Sequence, residues 1–322
     1  MSKPKLALYW AASCGGCEIA VLDIHEKILD VANAFDIVFW PVAMDFKYDD
    51  VRKMEDKSID LCLFNGAIRN SENAEIAYLL RAKSKALVAF GSCAFEGGIP
   101  GLANLTTKDD IFKFVYKESP SLFLQDGGVV YPQPLNTMAD GGLEIPEMWE
   151  TVKALDQVID VDYYIPGCPP VPSQIWGVIE HIVSGKPLPP KGSILGAGVK
   201  TCCDECKRER KEKKLKQFFR PYEIEAKPEE CLLDQGIVCM GPATRDGCGA
   251  LCPAANMPCR GCYGPPPNVK DQGAKMVSAL SSVIDAQEPE EIEKILDRIA
   301  DPMGTFYRFS LAHSILRRVE KS

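Results

Sequence analysis

The sequence lacks any apolar run long enough to cross a membrane and any excess of positive charge. A membrane helix needs roughly 20 consecutive apolar residues, whereas the apolar runs here have the length of strands. The 37 Lys and Arg residues are outnumbered by 45 Asp and Glu, which gives a net charge of −8. Since nucleic acids bind basic surfaces, we expect neither a membrane span nor a nucleic-acid partner.

The beginning of the sequence also lacks the pattern of an export signal. The residues MSKPKLALYWAASCGG contain one short apolar run that leads into a cysteine loop, and no twin-arginine pattern is present. We therefore expect a cytoplasmic protein whose cysteines stay reduced. The chain has fourteen cysteines. This is too many for burial alone, so metal binding or catalysis must account for most of them.

Short apolar runs in the first half predict buried strands of a parallel sheet. They are almost continuously hydrophobic, without the alternation of a half-exposed sheet. They lie at 6–10, 37–40, 61–65, 86–90 and 161–165. Helical patterns lie at 18–31, 72–83 (after a cap at Ser71), 109–116, 146–156 and 173–184. Strands that alternate with helices predict an α/β domain with a doubly wound parallel sheet.

The pattern changes near residue 190, where the stretch KPLPPKG (186–192) interrupts it. Beyond it we predict a charged helix at 204–216, then cysteine-rich loops rich in Gly and Pro. Amphipathic helices are predicted at 274–284, 289–299 and 306–319. The sequence therefore predicts two domains, with the α/β domain at 1–190 and a mostly irregular and helical domain at 191–322.

Three of the predicted strands run directly into cysteine loops, in LALYWAASCGGCE, ALVAFGSC and VDYYIPGCPP. Ligands of such sheets gather beyond the carboxyl ends of the strands, so these loops should converge. The flanking glycines let backbone approach an inorganic centre and supply N–H donors to sulfur. The four cysteines, which make one complete ligand set, are Cys14, Cys17, Cys93 and Cys168.

Nine further cysteines lie in the second half. A compact quartet with the spacing C-x3-C-x6-C-x2-C consists of Cys248, Cys252, Cys259 and Cys262. A third set consists of Cys203, Cys206, Cys231 and Cys239, which leaves Cys202 over. Cys62 lies inside the apolar run DLCLFNG and is interpreted as a small core residue. Three sets of four thiolates predict three 4Fe-4S clusters.

Zinc is the alternative, since C-x2-C pairs also bind zinc. In that case the protein would be a zinc-stapled scaffold without a redox role. Zinc ribbons are small self-contained folds, whereas the first set here is scattered over strand ends, which favours clusters. Broad absorbance at about 400 nm and about twelve irons per chain would separate the two interpretations.

With these residues in place, the chain resembles the small subunit of a nickel–iron hydrogenase. The motifs are C-G-G-C-E at 14–18, G-S-C at 91–93, P-G-C-P-P at 166–170, and C-x7-C-x-GPAT-x3-C followed by PCRGC. The resemblance covers nearly the whole chain and implies a flavodoxin-like first domain. It also assigns the three 4Fe-4S clusters: a proximal set (Cys14, Cys17, Cys93, Cys168), a medial set (Cys248, Cys252, Cys259, Cys262) and a distal set (Cys203, Cys206, Cys231, Cys239).

Two positions depart from many members of that family. Cys203 stands where many have a histidine as the first distal ligand, and Cys252 stands where many have a proline beside a three-iron medial cluster. All-cysteine ligation and the CCDEC motif are similar to the cytoplasmic type of methanogens, closest to the hydrogenase that reduces methyl viologen but not deazaflavin. A deazaflavin-reducing hydrogenase or a sulfhydrogenase remains open as an alternative.

The resemblance implies an electron-transfer subunit that works in methanogenesis. Electrons would pass from the hydrogen-oxidising site of a nickel–iron large subunit, through the three clusters, to a small iron–sulfur (delta) subunit and heterodisulfide reductase. The chain itself cannot hold the nickel–iron centre, because only Cys62 and Cys202 are left over.

No residue is assigned a certain catalytic role. Glu18 directly follows Cys17 where a helix is predicted to begin. A favourable interaction with the helix N-terminus and a role as proton relay or subunit contact are both open. The basic run KRERKEKKLK (207–216) is interpreted as a solvated helix face rather than a docking patch.

Overall fold

The computed structural model describes residues 3–123, 128–138, 141–211 and 214–318. Its strands are β1 (Lys5–Trp10), β2 (Asp36–Phe39), β3 (Ile59–Asn65), β4 (Ile68–Asn70), β5 (Ser84–Phe90), β6 (Leu135–Met138), β7 (Gly141–Glu144), β8 (Met148–Lys153) and β9 (Tyr163–Ile165). Its α-helices are α1 (Gly16–Leu22), α2 (Ile28–Ala34), α3 (Tyr48–Arg52), α4 (Ser71–Lys83), α5 (Ser92–Glu96), α6 (Lys108–Lys113), α7 (Pro172–Val183), α8 (Cys202–Glu205), α9 (Leu251–Ala254), α10 (Gln272–Ser281), α11 (Pro289–Leu296) and α12 (Pro302–Phe306).

A central sheet organises the first half of the chain. Its order is β2-β1-β3-β5-β9, and every neighbouring pair is parallel. The chain first moves to one side of β1 and then to the other, so the switch point lies between β1 and β3. This is the flavodoxin-like strand order, and it confirms the predicted doubly wound α/β fold. Two antiparallel pairs, β4 with β8 and β6 with β7, lie outside this sheet.

Alternate side chains of the central strands enter two cores on opposite faces of the sheet, because successive residues of a strand point to opposite sides. Leu6 and Leu8 of β1 belong to one core, which also holds residues of α1 and α7. Ala7 and Tyr9 belong to the other, which holds residues of α4. Full burial of a Leu or Ile side chain stabilises the fold by roughly 1.5–3 kcal/mol. The two cores, one on each side of the sheet, therefore fix the positions of the strands and of their carboxyl ends.

A third core is built mainly from residues of the second half and includes three buried cysteines, Cys202, Cys239 and Cys259. The last described segment returns to the first half, where the Gly98 amide donates to the Phe309 carbonyl and the Gln157 side-chain amide donates to the Ala312 carbonyl. The division into 1–190 and 191–322 stays a prediction. None of the helices in the described ranges is both long and apolar enough to pass through a bilayer.

The predicted helix at 146–156 is wrong, because most of this segment is strand β8. Met148–Lys153 pairs antiparallel with β4. Asn104 fixes it further, since its side chain accepts from the Val152 amide (2.7 Å) and donates to the Val152 carbonyl (2.9 Å). Pairing with a strand from a distant part of the chain overrides the local helical pattern.

The predicted helix at 204–216 is also wrong, since only Cys202–Glu205 is helical. The rest of its described part is extended or irregular, and the Glu209 amide donates to the carbonyl of Glu229. The guanidinium of Arg208 donates to the carbonyls of Pro253, Lys227 and Glu230. This arginine therefore ties loops together and does not lie on a solvated helix face.

Two further predicted helices are shorter or interrupted. The pattern at 18–31 splits into α1 and α2, because His25 adopts a left-handed conformation with φ 59°. The pattern at 306–319 is mostly not helical: α12 ends at Phe306 and only a short 3-10 turn follows, at Leu311–His313. Residue 319 lies outside the described ranges. The helix cap expected at Ser71 is instead Asn70, whose side chain accepts from the Asn73 amide.

Candidate functional site

The proximal set lies at the carboxyl ends of three sheet strands. Cys14 and Cys17 lie in and just after the loop from β1 to α1, Cys93 lies at the start of α5 after β5, and Cys168 follows β9. Cys17 and Cys93 are buried, whereas Cys14 is exposed. The fold thus brings together four thiols that are 154 positions apart at their extremes.

The four thiols of the proximal set interact electrostatically. Burial raises the pKa of the Cys17 thiol, and the other three thiols of the set raise it further. Burial likewise raises the pKa of Cys93 to about 12, with smaller contributions from Cys168 and Cys14. Because iron binds thiolates, binding of iron by this set would require the release of protons.

Glycine at position 91 lets the backbone pass next to the Cys17 sulfur. A Cβ atom on Gly91 would lie 2.4 Å from Cys17 Sγ, and the residue has a φ of +85° that side-chain-bearing residues rarely adopt. The position therefore tolerates no side chain without movement of Cys17.

We expect Gly91→Ala to displace Cys17 and to remove about four irons per chain, the content of one cluster. Gly177→Ala is the matched control, because a Cβ there meets no atom within 4 Å. Iron and acid-labile sulfide, assayed on both anaerobically purified variants, measure the effect. Full iron retention in Gly91→Ala would show that the proximal set does not bind a cluster.

The medial and distal sets lie next to each other in the second half. The four distal thiols line one cavity together with Cys202, Arg208 and Arg210. In the medial set Cys259 is buried and Cys252 is exposed. The pKa of Cys252 is raised by burial of the thiol and by its neighbours Cys259 and Cys248. The quartets predicted from the spacing therefore each converge in space.

One hydrogen bond on each side links the medial set to its neighbours. On one side Ser92 Oγ, in the residue before Cys93, donates to the Cys262 carbonyl (2.5 Å). Burial raises the pKa of the Cys262 thiol, and the nearby Cys168 backbone partly offsets this rise. On the other side the Cys259 amide donates to the Cys239 sulfur at 3.3 Å. The medial set is thus in direct contact with both the proximal and the distal set.

Cys202 and Glu205, both in α8, accompany the medial set; the sequence leaves Cys202 unassigned and does not single out Glu205. The Cys202 thiol contacts those of Cys248 and Cys259. The carboxylate of Glu205 accepts from the Gly247 and Ala250 amides at 3.1 and 3.2 Å, and the Cys248 sulfur lies 3.5 Å from it. In the structure Cys202 lies between the medial and distal sets, since it also lines the cavity of the distal thiols. No spacing rule identifies Glu205.

The spacing of the sulfurs fits a cluster better than a single zinc ion. Tetrahedral zinc with bonds of about 2.3 Å holds its four sulfurs about 3.8 Å apart. Among the described residues, Cys202, Glu205 and Cys248 are the group whose ligand atoms all lie within 4.8 Å of one another. None of the three predicted quartets, all of them within the described ranges, forms such a group. Four thiols spread more widely, with backbone N–H donors on their sulfurs, suit a bulkier iron–sulfur cluster.

Glu18 is buried beside the proximal set. Its Oε2 accepts from the Trp40 indole N–H, and its Oε1 has no hydrogen-bond partner within the described part of the chain. Burial raises its pKa, which the contacts with Trp40 and Asn65 partly offset. Cys62 is fully buried in β3, as expected for a core residue.

Comparison with known proteins agrees with this geometry. A family model described as "NADH ubiquinone oxidoreductase, 20 Kd subunit" matches residues 14–182. The chain is 40% identical over 320 residues (98% of both chains) to the iron–sulfur subunit of an F420-non-reducing hydrogenase of Archaeoglobus profundus. It is 38% identical over 320 residues to the corresponding subunit of the F420-non-reducing hydrogenase of Methanothermobacter marburgensis, covering 98% of this chain and 96% of the relative.

Solved structures show the same fold. The recombinant [NiFeSe] hydrogenase of Desulfovibrio vulgaris Hildenborough matches with a TM-score of 0.50 and 17% identity, over 89% of this chain and 99% of that one. The chain belongs to the small-subunit family of the nickel–iron hydrogenases. Its type within that family is the iron–sulfur subunit of the F420-non-reducing hydrogenases, so it is one component of an oxidoreductase.

Proposed function

We propose that this subunit conducts electrons between a hydrogen-oxidising large subunit and an electron acceptor, through three 4Fe-4S clusters. The observation that carries the proposal is the central place of the medial set: the Cys259 amide donates to the sulfur of the distal Cys239, and the Cys262 carbonyl accepts from Ser92, the residue before the proximal Cys93. An electron entering at either end therefore has a continuous route of adjacent sites.

The twelve thiols would hold the clusters in the order proximal, medial and distal. When bound, such clusters supply one-electron carriers whose potentials depend on net charge, exposure and hydrogen bonds to sulfur. Hydrogen bonds to sulfur and nearby charge differ between the three sites. The Cys259 amide donates to the sulfur of Cys239 in the distal set. At the medial site the Glu205 carboxylate adds negative charge beside Cys248, which disfavours the reduced cluster.

The large subunit would dock around Cys14, the exposed member of the proximal set. Ile19 and Leu22, three residues apart on α1, are 55% and 46% exposed, and Trp10 is 40% exposed. Large apolar residues left exposed next to a cofactor edge are typical of a subunit interface. This face is therefore where we place the large subunit.

The partners at the other end are proposed from the family resemblance. They are a small iron–sulfur (delta) subunit and heterodisulfide reductase, and the process served would be methanogenesis. We also propose a cytoplasmic location, for which the support is that the cysteines are free thiols, as in reducing compartments.

The proposal is tested by adding hydrogen to the anaerobic complex of this chain with its large subunit. We expect hydrogen to bleach the absorbance at about 400 nm and oxidised methyl viologen to restore it. A complex that dithionite bleaches but hydrogen does not would count against electron entry through this subunit.

Glu18 would relay protons near the proximal set, since it is buried with one carboxylate oxygen unpartnered in the described structure. We expect Glu18→Gln to lower hydrogen turnover by roughly a hundredfold, the usual effect of losing a proton-transfer group, while the EPR signals of the clusters stay unchanged. Unchanged turnover would leave Glu18 with a packing role against Trp40.

A further inference from the structure

A cleft of about 550 Å³ opens in the second half, and none of the residues that line it belongs to the face around Cys14. We call it the arginine cleft, and the side chains that define it are Phe219, Arg220, Tyr222, Met257, Arg260 and Arg308. Its floor includes Val238, the residue before Cys239, and Arg260, the residue after Cys259. The cleft therefore borders both the distal and the medial set.

Three guanidinium groups in the cleft lack partners within the described ranges. Arg220, Arg260 and Arg308 make no side-chain hydrogen bond and no ion pair with any residue that the structure describes, and Nε of Arg308 is buried without an acceptor. Arg220 is exposed, and Arg260 and Arg308 are half-buried, so the cleft presents three positive charges that attract an anion.

The acidic group that lines the cleft and the one beside it in the sequence are already engaged. Glu223, next to Tyr222, accepts from Arg298 at 2.9 Å. Asp301 accepts from the Gly304 amide and caps α12. The excess of positive charge therefore belongs to Arg220, Arg260 and Arg308, in a chain whose net charge is −8.

The rim of the cleft indicates a protein rather than a free phosphate. Tyr222 is 83% exposed and Met257 is 46% exposed. Arginine, tyrosine and methionine are the residues enriched at protein interfaces. We propose that the arginine cleft docks an acidic segment of the electron-accepting partner, which brings that partner next to the medial and distal sets. This proposal rests on the proposed function, because it assumes that electrons leave at this end.

The test uses the anaerobic hydrogenase complex and poly-L-glutamate as the acidic probe. The variant is Arg220→Glu with Arg308→Glu, and Arg260 is kept because it lies between proposed ligands. We expect the variant to bind poly-L-glutamate at least about tenfold more weakly, and the wild type to lose binding between about 0.05 and about 0.3 M salt. The matched control is Lys270→Glu with Lys275→Glu, an equal charge change at exposed sites outside the cleft.

The outcomes separate this proposal from the proposed function. Hydrogen-driven reduction of methyl viologen measures electron transfer through the clusters without the docked partner. It should be equal in the wild type, the arginine variant and the lysine control, and its absence in the wild type would overturn the proposed function. If the lysine control weakened the binding of poly-L-glutamate as much as the arginine variant, the proposed role of the cleft would be wrong. Saturable binding of inorganic phosphate without binding of poly-L-glutamate would also contradict it. If the reversed variant does not fold, Arg220→Gln with Arg308→Gln should show the same loss to a smaller extent.

Discussion

Replacing Cys259 and Cys262 by alanine is expected to abolish hydrogen-driven reduction of the acceptor while hydrogen–deuterium exchange at the large subunit continues. Two thiols of the medial set would remain, too few to hold a cluster. Since the medial set is the part of the route that touches both neighbours, its loss leaves a gap in the middle. The iron content should fall from about twelve to about eight per chain.

The matched control is Cys62→Ala, which removes a fully buried cysteine of β3 remote from the three sets. It should keep its full iron content and its activity with the acceptor. The account fails if the double variant loses its medial iron and still reduces the acceptor at the wild-type rate, because electrons would then bypass the medial site.

The second large effect concerns Glu96, which is buried at the end of α5. Its Oε2 has no hydrogen-bond partner among the described residues. Burial is the main reason that its pKa is raised to about 8; Asp156 raises it further, whereas His313 and Arg245 lower it. Folding therefore holds this carboxyl in its protonated form across a pH range in which the unfolded chain ionises it.

The direction in which Glu96 changes folding stability with pH follows from proton linkage. Below the unfolded pKa of 4.5 both states are protonated and Glu96 costs nothing. As the pH rises from there to about 8 the unfolded state is increasingly favoured, by up to roughly 4–5 kcal/mol. His313 acts in the same direction, because Asp156 raises its pKa. The stability that the His313–Asp156 ion pair contributes at low pH is lost as the pH rises.

We therefore expect Glu96→Gln to be more stable than the wild type at about pH 8.5 and closer to it at about pH 5.5. The temperature at which the cluster absorbance is lost, followed anaerobically at both pH values, measures this difference. Glu225→Gln, at an exposed position, is the control and should track the wild type. A parallel response of Glu96→Gln and wild type at the two pH values would show that Glu96 is ionised in the folded protein.

The sequence predicts those parts of the fold that follow from the local pattern of apolar residues. The apolar runs of β1, β3 and β5 have no alternation because both faces of the sheet are covered, and their position before cysteine loops places the proximal set. The segment at 146–156 fails for a physical reason: its strand exists through pairing with β4 and the Asn104 side chain, and neither is visible locally.

The candidate sites show the same limit. Cysteine spacing is enough to group the medial quartet, because its members are close in sequence. It gives no information on which way Cys202 points, since that depends on a single turn at α8. The contacts of Cys168 with Cys262 and of Cys259 with Cys239 join positions that no local rule relates. The adjacency of the medial set to both others is therefore visible in the structure and not in the local sequence pattern.

The most direct test of the central claim is a Mössbauer spectrum of the anaerobically purified chain grown on isotopically enriched iron, together with a metal and sulfide assay. Three four-iron clusters on cysteine thiolates predict about twelve irons and about twelve labile sulfides per chain, all in four-iron environments. Stoichiometric zinc without labile sulfide would contradict the account.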